Sequence, residues 1–251
     1  MDTPPRLFDR ATILRNQKRV NQKQSENFLL RELAHEFTER LADSNRVFAR
    51  PAIVTGFPNF WKKWMPSAKI VTDEEFLNLT LEDHDLIIHA MCLHWSNDPV
   101  GQLIQCNRAL RSDGFFICAL LGGNTLIELK HALSAAELTI SNGLSDRFSP
   151  MAEIRSIGDL LQRAGFALPV ADSVKHNVVY DSIYHLMRDL RDMGETNALS
   201  SRNKRFTRSK LFEEANKVYL KKYKPQKNKI MATFELIFLA GWSPDVSQPN
   251  P

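Results

Sequence analysis

Polar side chains and glycines follow three apolar runs in the first half of the chain, and these residues are the best placed to do chemistry. The first run is followed by Asp73 and Glu74, the second by His94 and Trp95, and the third by Gly122, Gly123 and Asn124. Carboxylates at such positions accept hydrogen bonds from sugar hydroxyls, and glycine lets a ligand approach the backbone closely. The pattern predicts a site for a nucleoside-like ligand and a substrate, but it identifies no catalytic residue.

Strands and helices must alternate if these residues are to meet at one edge of a sheet. Strands are predicted over residues 52–56, 69–72, 86–88, 115–121, 170–179 and 233–240. Helices are predicted over residues 24–42, 99–110, 125–138, 153–164 and 181–193, followed by a basic helix over residues 211–219. The alternation favours a mainly parallel sheet that is covered on both faces and binds ligands at the carboxyl ends of its strands.

Several functional classes lack their signatures in this sequence. Cys92, Cys106 and Cys118 show no CxxC spacing, which predicts buried, reduced thiols rather than a disulfide framework or a zinc site. The histidines show no metal-ligand spacing, so we expect no metal. No apolar run is long enough to span a membrane, and the N-terminus lacks the apolar core of a secretory signal. We therefore expect a cytoplasmic protein without a transmembrane segment.

Positive charge is concentrated late in the chain. Residues 202–229 contain 11 Lys and Arg against two Glu, a local net charge of +9, whereas the whole chain carries +4 and the remainder therefore −5. Such a segment suits an acidic protein, a nucleic acid or an anionic membrane face, or is simply a solvated helix. Because no nucleic-acid recognition motif accompanies it, nucleic acid is the least favoured partner.

The stretch that begins at Asp85 resembles the later motifs of class I S-adenosylmethionine-dependent methyltransferases. The resemblance rests on LHWSND, RALRSDGFF and LLGGNTLIELKHAL, and it is greatest for one branch of that family. This branch holds the malonyl-carrier-protein methyltransferase of biotin synthesis and the mitochondrial complex I assembly factor 5 family. The likeness extends to LFDRATILRNQKR, ENFLLRELAHEFTERL, SPMAEIRSIGDLLQRAGFALPVADS, LMRDLRDMGETNAL and ATFELIFLAGWSPDVSQ, and it fits the assembly-factor side better.

The resemblance implies a Rossmann-like three-layer α/β sandwich with a C-terminal helical lid. It divides the chain into an N-terminal helical segment (1–50), a Rossmann-like core (51–180), a lid with the basic segment (181–230), and a last strand and tail (231–251). S-adenosyl-L-methionine is the implied cofactor. The candidate cofactor-binding residues are Gly56, Asp73, Glu74, Ala90, Met91, His94 and Trp95, and the candidate substrate-binding residues are Gly122, Gly123 and Asn124. For three of these groups a structural reading stays open: a solvated acidic cluster at Asp73 and Glu74, a packing pair at His94 and Trp95, and a plain strand-to-helix turn at Gly122 and Gly123.

One motif departs from the family. Where the family has an acidic and glycine-rich loop, roughly DxGxGxG, this chain has AIVTGFPNFWKKWM, in which Phe57 and Pro58 follow Gly56. Asp73 comes only 17 residues after Gly56, which leaves room for one crossover and predicts a shortened N-terminal half. Either Asp73 matches the family's acidic site near the adenine, as the likeness of TDEEFLNL favours, or it ends the second strand and binds ribose itself.

Two functions follow from the resemblance. The first is a methyltransferase whose acceptor is a carboxylate on an acidic carrier protein or a side chain of a respiratory complex subunit. The second is a binding or hydroxylating assembly factor that keeps the fold, has a degenerate cofactor site and binds a complex I subunit. A mitochondrial matrix location is expected if the source is eukaryotic.

Overall fold

One mixed sheet of six strands organises the described part of the chain. The structure is a computed structural model, and it describes residues 6–23, 27–223, 225 and 229–245. The strands are β1 (Pro51–Thr55), β2 (Lys69–Thr72), β3 (His84–Ala90), β4 (Leu110–Leu121), β5 (Ala167–Tyr180) and β6 (Ile230–Trp242). Their order is β2-β1-β3-β4-β6-β5; the first four are parallel, and β6 runs antiparallel to both β4 and β5.

Helices cover both faces of this sheet. They are α1 (Arg10–Lys23), α2 (Phe28–Asp43), α3 (Pro58–Trp64), α4 (Pro99–Ala109), α5 (Ile127–Ser141), α6 (Ile154–Arg163), α7 (Ile183–Met193) and α8 (Ser209–Lys222). One apolar core joins the sheet to α2, α3, α5, α7 and α8, and a second joins its other face to α4 and α6. The three layers confirm the predicted Rossmann-like α/β sandwich.

Local sequence explains where several of these elements begin and end. The apolar run 86–88 lies in the central strand β3, which is buried along its whole length and also buries His84, Asp85 and His89. The Asp98 carboxylate accepts a hydrogen bond from the Gly101 N–H and caps α4, which begins at Pro99. Helix α7 ends at Gly194, whose φ of 84° is a left-handed conformation that glycine adopts without strain.

The N-terminal half contains the one predicted crossover. Helix α3 is the regular element between β1 and β2 in the described chain, and β2 pairs directly with β1. The helix predicted from residue 24 begins at Phe28, with residues 24–26 outside the described ranges, as are residues 246–251 of the tail. Helix α1 is an element that our sequence analysis did not delimit.

All three cysteines are buried, as predicted, and burial raises the pKa of each thiol. These groups therefore stay protonated and poorly nucleophilic at neutral pH. Within the described ranges, no helix has both the length and the apolar character that a membrane span requires.

Candidate functional site

Helix α1 lies on the loop that follows β1. A Cβ atom added at Gly56 would lie 2.2 Å from Nε2 of Gln17, so the Gln17 side chain packs directly on this glycine. Asn21, one turn further along α1, donates from Nδ2 to the Gly56 carbonyl at 3.0 Å. The backbone that a ligand would have to approach is therefore already covered by the protein's own side chains.

Asp73 is also engaged by α1. Its side chain is 0% exposed, and Arg10 Nη1 donates to Oδ2 at 2.7 Å. Gln102 Nε2 donates to Oδ1 at 3.2 Å and to the Glu74 carbonyl at 2.9 Å. Asp73 follows β2 directly, a position that fits both of our alternatives for this residue, which stay open. Both of its oxygens nevertheless have protein partners.

A buried polar chain continues from Gln102 into the sheet. Gln102 Oε1 lies 3.1 Å from Nε2 of His89, a residue of β3. Burial lowers the pKa of His89, and the nearby negative charge of Asp73 only partly opposes this effect. The imidazole is therefore neutral at pH 7, with Nε2–H donating to Gln102. Gln102, which is held by His89, and Arg10 thus fix the orientation of the Asp73 carboxylate through its two oxygens.

The segment before α1 holds the helix in place through contacts with two distant parts of the chain. The backbone of Phe8 exchanges two hydrogen bonds with the Asn97 side chain, at 2.9 and 3.2 Å, and forms an antiparallel bridge with Leu199. Arg202 Nη2 donates to Asp9 Oδ2 at 2.8 Å, and this interaction holds the pKa of Asp9 at about 2. Residues 6–23 thus connect the loop after β3 with the segment after α7.

His94 and Trp95 meet a carboxylate that our sequence analysis did not select. His94 Nε2 lies 3.2 Å from Glu195 Oε2, and Trp95 Nε1 donates to the same oxygen at 3.1 Å. The His94 and Glu195 side chains are only 7% and 6% exposed. Within the described ranges, Glu195 Oε1 makes no hydrogen bond to the protein. One signal in the sequence pointed to this residue, because Glu195 lies in the family-like segment LMRDLRDMGETNAL.

Ala90 and Met91 lie beneath α1. Ala90 ends β3, and Met91 adopts a positive φ of 56° while its N–H donates to the Ala119 carbonyl at 3.0 Å. The space that Met91 shares with Gln17 and Glu195 is too narrow to admit a water molecule. Of the implied cofactor residues, Met91 and Trp95 line this closed space.

A cavity of about 310 Å³ opens on the other side of Glu195. It lies between α5, α7, α8, the end of β4 and the loop 142–153. Its apolar wall consists of Leu121, Leu126, Leu129, Leu133, Phe148, Met151, Met187, Leu190, Phe212 and Phe234. Trp95 and Glu195 line it together with Arg147 and Arg191, two cations that sequence reasoning also missed. An apolar chamber with a few charged groups is the usual form of a ligand site.

The glycine turn after β4 makes room for a different carboxylate. A Cβ atom at Gly122 would lie 2.7 Å from Glu235 Oε2, whereas one at Gly123 would meet nothing closer than 3.7 Å. The Asn124 backbone N–H and Nδ2 both donate to Glu235, at 2.8 and 3.0 Å. These three residues do not line the 310 Å³ cavity, although Leu121 before them and Thr125 after them do. Their role in substrate binding stays a prediction.

S-adenosylmethionine does not fit the strand ends as they are arranged here. The family resemblance implies that the methionine part approaches Gly56 and that an acidic side chain binds the ribose. Gln17 covers Gly56, and Arg10 holds the Asp73 carboxylate. Exposing these groups would break a buried ion pair and remove α1 from its place.

Known proteins resemble this chain in sequence. No family model matches it. It is 35% identical over 187 residues to the arginine-hydroxylase NDUFAF5, mitochondrial, of Danio rerio, a match that covers 74% of this chain and 58% of that protein. It is 32% identical over 186 residues to the malonyl-[acyl-carrier protein] O-methyltransferase of Xylella fastidiosa (strain M23), covering 74% of this chain and 60% of that protein. The chain thus spans less than two thirds of the length of these curated relatives.

A solved structure shares the fold. The YcgJ protein from Bacillus subtilis superposes with a TM-score of 0.52 at 10% sequence identity, over 84% of this chain and 99% of that one. The chain is thus a homologue of NDUFAF5 and of the malonyl-carrier-protein methyltransferase. The resemblance to class I S-adenosylmethionine-dependent methyltransferases and to the branch that holds these two relatives, inferred above from motifs, is confirmed.

Proposed function

We propose that this homologue of NDUFAF5 is a binding protein that receives an arginine side chain of a respiratory complex subunit, without performing S-adenosylmethionine-dependent methyl transfer. One observation carries the proposal. At the same edge of the sheet, the place implied for the cofactor is filled by α1, whereas the 310 Å³ cavity beside Glu195 is open. The arginine follows from the cavity's chemistry and from the activity that the name of the Danio rerio relative states.

The cavity suits a long side chain with a cationic end. Leucine, methionine and phenylalanine side chains of the wall would cover the aliphatic stem of an arginine. Glu195 Oε1, which has no protein partner in the described ranges, would accept hydrogen bonds from the guanidinium. Charge-assisted pairs of this kind are among the strongest hydrogen bonds in proteins, and the ring of Trp95, which also lines the cavity, would add a cation–π contact.

The first test measures cofactor binding. Titration calorimetry and thermal shift with S-adenosylmethionine and S-adenosylhomocysteine should show no binding at millimolar ligand to the wild-type chain. Gln17→Ala, which shortens the side chain over Gly56, serves as the matched variant. Micromolar binding to the wild-type chain would overturn the proposal and return attention to methyl acceptors.

The second test measures arginine binding. The probes are two fluorescein-labelled heptapeptides of glycine and alanine, with arginine or norleucine at the centre. We expect the arginine peptide to bind at least tenfold more tightly, because norleucine cannot pair with the carboxylate. Glu195→Gln should remove most of this difference. Glu153→Gln, an exposed carboxylate outside the cavity, should leave it intact. Equal binding of both peptides would contradict the proposal.

Methyl transfer to a carboxylate on an acidic carrier protein is the second candidate. The 32% identity to the malonyl-[acyl-carrier protein] O-methyltransferase of Xylella fastidiosa favours it, and it requires α1 to leave the strand ends. A mitochondrial matrix location is part of the first proposal, supported by the mitochondrial relatives. Fractionation of cells that express the tagged chain tests this location.

A further inference from the structure

The charged side chains that line the cavity can be ordered by their exposure to solvent. Glu195 lies at the inner end, beside the filled space under α1, and its side chain is 6% exposed. Arg191 lies one helical turn earlier on α7, lines the same cavity and is exposed to solvent. A ligand therefore meets a cation at the entrance before it reaches the carboxylate inside.

The two arginines of the cavity differ in how their charge is balanced. Arg147 donates from Nε to Glu137 Oε1 at 2.7 Å, and the charge of each side chain is largely compensated by the other. Arg191 has no carboxylate within ion-pair distance in the described ranges. Its carbonyl accepts a hydrogen bond from Arg19 Nη2 at 3.2 Å, which adds a second guanidinium nearby. The mouth thus carries uncompensated positive charge.

From this order we propose that the arginine taken up by the cavity is flanked by acidic residues in the partner's sequence. The inference rests on the proposed function and specifies its substrate class. A guanidinium passing Arg191 is repelled unless neighbouring carboxylates neutralise the mouth. Carboxylates next to the inserted arginine pair with Arg191 while the guanidinium pairs with Glu195. Arg191 is therefore a specificity residue that selects the sequence context of the arginine.

The test compares two labelled peptides in fluorescence anisotropy with the full chain. Both have one central arginine in a glycine and alanine background, flanked either by two aspartates or by two lysines. At low ionic strength, we expect the aspartate peptide to bind at least tenfold more tightly. Arg191→Glu should reverse this order, because the mouth then repels aspartate and attracts lysine. Arg188→Glu makes the same charge change one turn earlier, outside the cavity lining, and should keep the wild-type order.

The outcomes separate the inference from the function on which it rests. If neither arginine peptide binds, the proposed function itself fails. If both bind equally well, arginine recognition stands and the acidic context is overturned. If aspartate is preferred but Arg188→Glu changes the preference as much as Arg191→Glu, general surface charge is responsible, and the specific role of Arg191 is overturned. Thermal unfolding of both variants checks that each remains folded.

Discussion

The strand ends of the sheet are packed with side chains on one side and open into a cavity on the other. Beyond β1 and β2, the strand ends are filled by hydrogen-bonded polar side chains of α1, with Gln17 on Gly56 and Arg10 on Asp73. Beyond β4, the edge opens into an apolar cavity with the Glu195 carboxylate at its inner end. The comparison teaches that one part of a strand-end edge can be packed with side chains while another part of the same edge keeps an open cavity.

The largest expected effect comes from breaking the filled half. Asp73→Ala leaves the Arg10 guanidinium and Gln102 without their buried partner. We expect a loss of about 3–5 kcal/mol in the free energy of unfolding, measured by urea denaturation. Glu75→Ala removes the exposed bridge to Arg6 and should cost less than about 1 kcal/mol. Similar losses in the two variants would mean that the strand end is solvated after all.

The open half has its own sensitive position. Gly122→Ala would place a methyl group 2.7 Å from Glu235 Oε2 and 2.8 Å from Ile237 Cδ1. We expect a loss of about 1–3 kcal/mol in the free energy of unfolding from this crowding. The neighbouring Gly123→Ala has space and should stay within about 0.5 kcal/mol of the wild type. A tolerated Gly122→Ala would show that the Glu235 contact is adjustable.

A double-variant cycle sharpens the contact between α1 and β1. Gly56→Ala forces the Gln17 side chain to move, and we expect a loss of about 1–2 kcal/mol in the free energy of unfolding. Gln17→Ala removes the clash, so Gly56→Ala should cost about 1 kcal/mol less in that background. Strict additivity of the two changes, measured by urea unfolding, would mean that α1 does not rest on Gly56 in solution.

The smallest effect is a dependence on pH. His89 has a lowered pKa in the folded chain, so the unfolded chain binds more protons below the ordinary value of 6.5. The contribution of His89 to the free energy of unfolding should therefore be constant above about pH 6.5. It should fall as the pH drops from there toward the lowered pKa, by at most about 1.4 kcal/mol per pH unit.

His89→Gln tests this pH dependence directly. The variant removes the titrating group, so its unfolding free energy should fall less steeply than that of the wild type between pH 6.5 and 5. Parallel slopes in urea unfolding across this range would assign the dependence to other groups. The absolute stability of the variant does not enter the comparison, because only the slopes are compared.

Local sequence patterns predicted the sheet well because burial of the strands leaves continuous apolar runs, as in β3 and β4. The single crossover between β1 and β2 was predicted from the 17 residues that separate Gly56 from Asp73. The position of α1 could not be predicted in this way, because the helix buries the polar residues Asn16 and Gln17. Such residues ordinarily mark a solvent-facing surface, and only their distant partners reveal where they lie.

Only part of the candidate site could be predicted from the sequence. His94 and Trp95 were found because they lie in the short segment that follows the apolar run of β3. Glu195 was missed because it lies about 100 residues further along the chain, and the turn at Gly194 brings it back to them. Arg191 was missed for a similar reason, since an arginine on an amphipathic helix looks like any other solvated cation.

The place of β6 in the sheet has a consequence for synthesis. β6 lies between β4 and β5, and β5 pairs with no other strand of the described sheet. During translation β5 leaves the ribosome about 50 residues before β6, so the growing chain exposes the edge of β4 and an unpaired β5 throughout that interval. Chaperones that bind extended segments would therefore meet this protein at one predictable stage, after α6 has emerged and before the last strand closes the sheet.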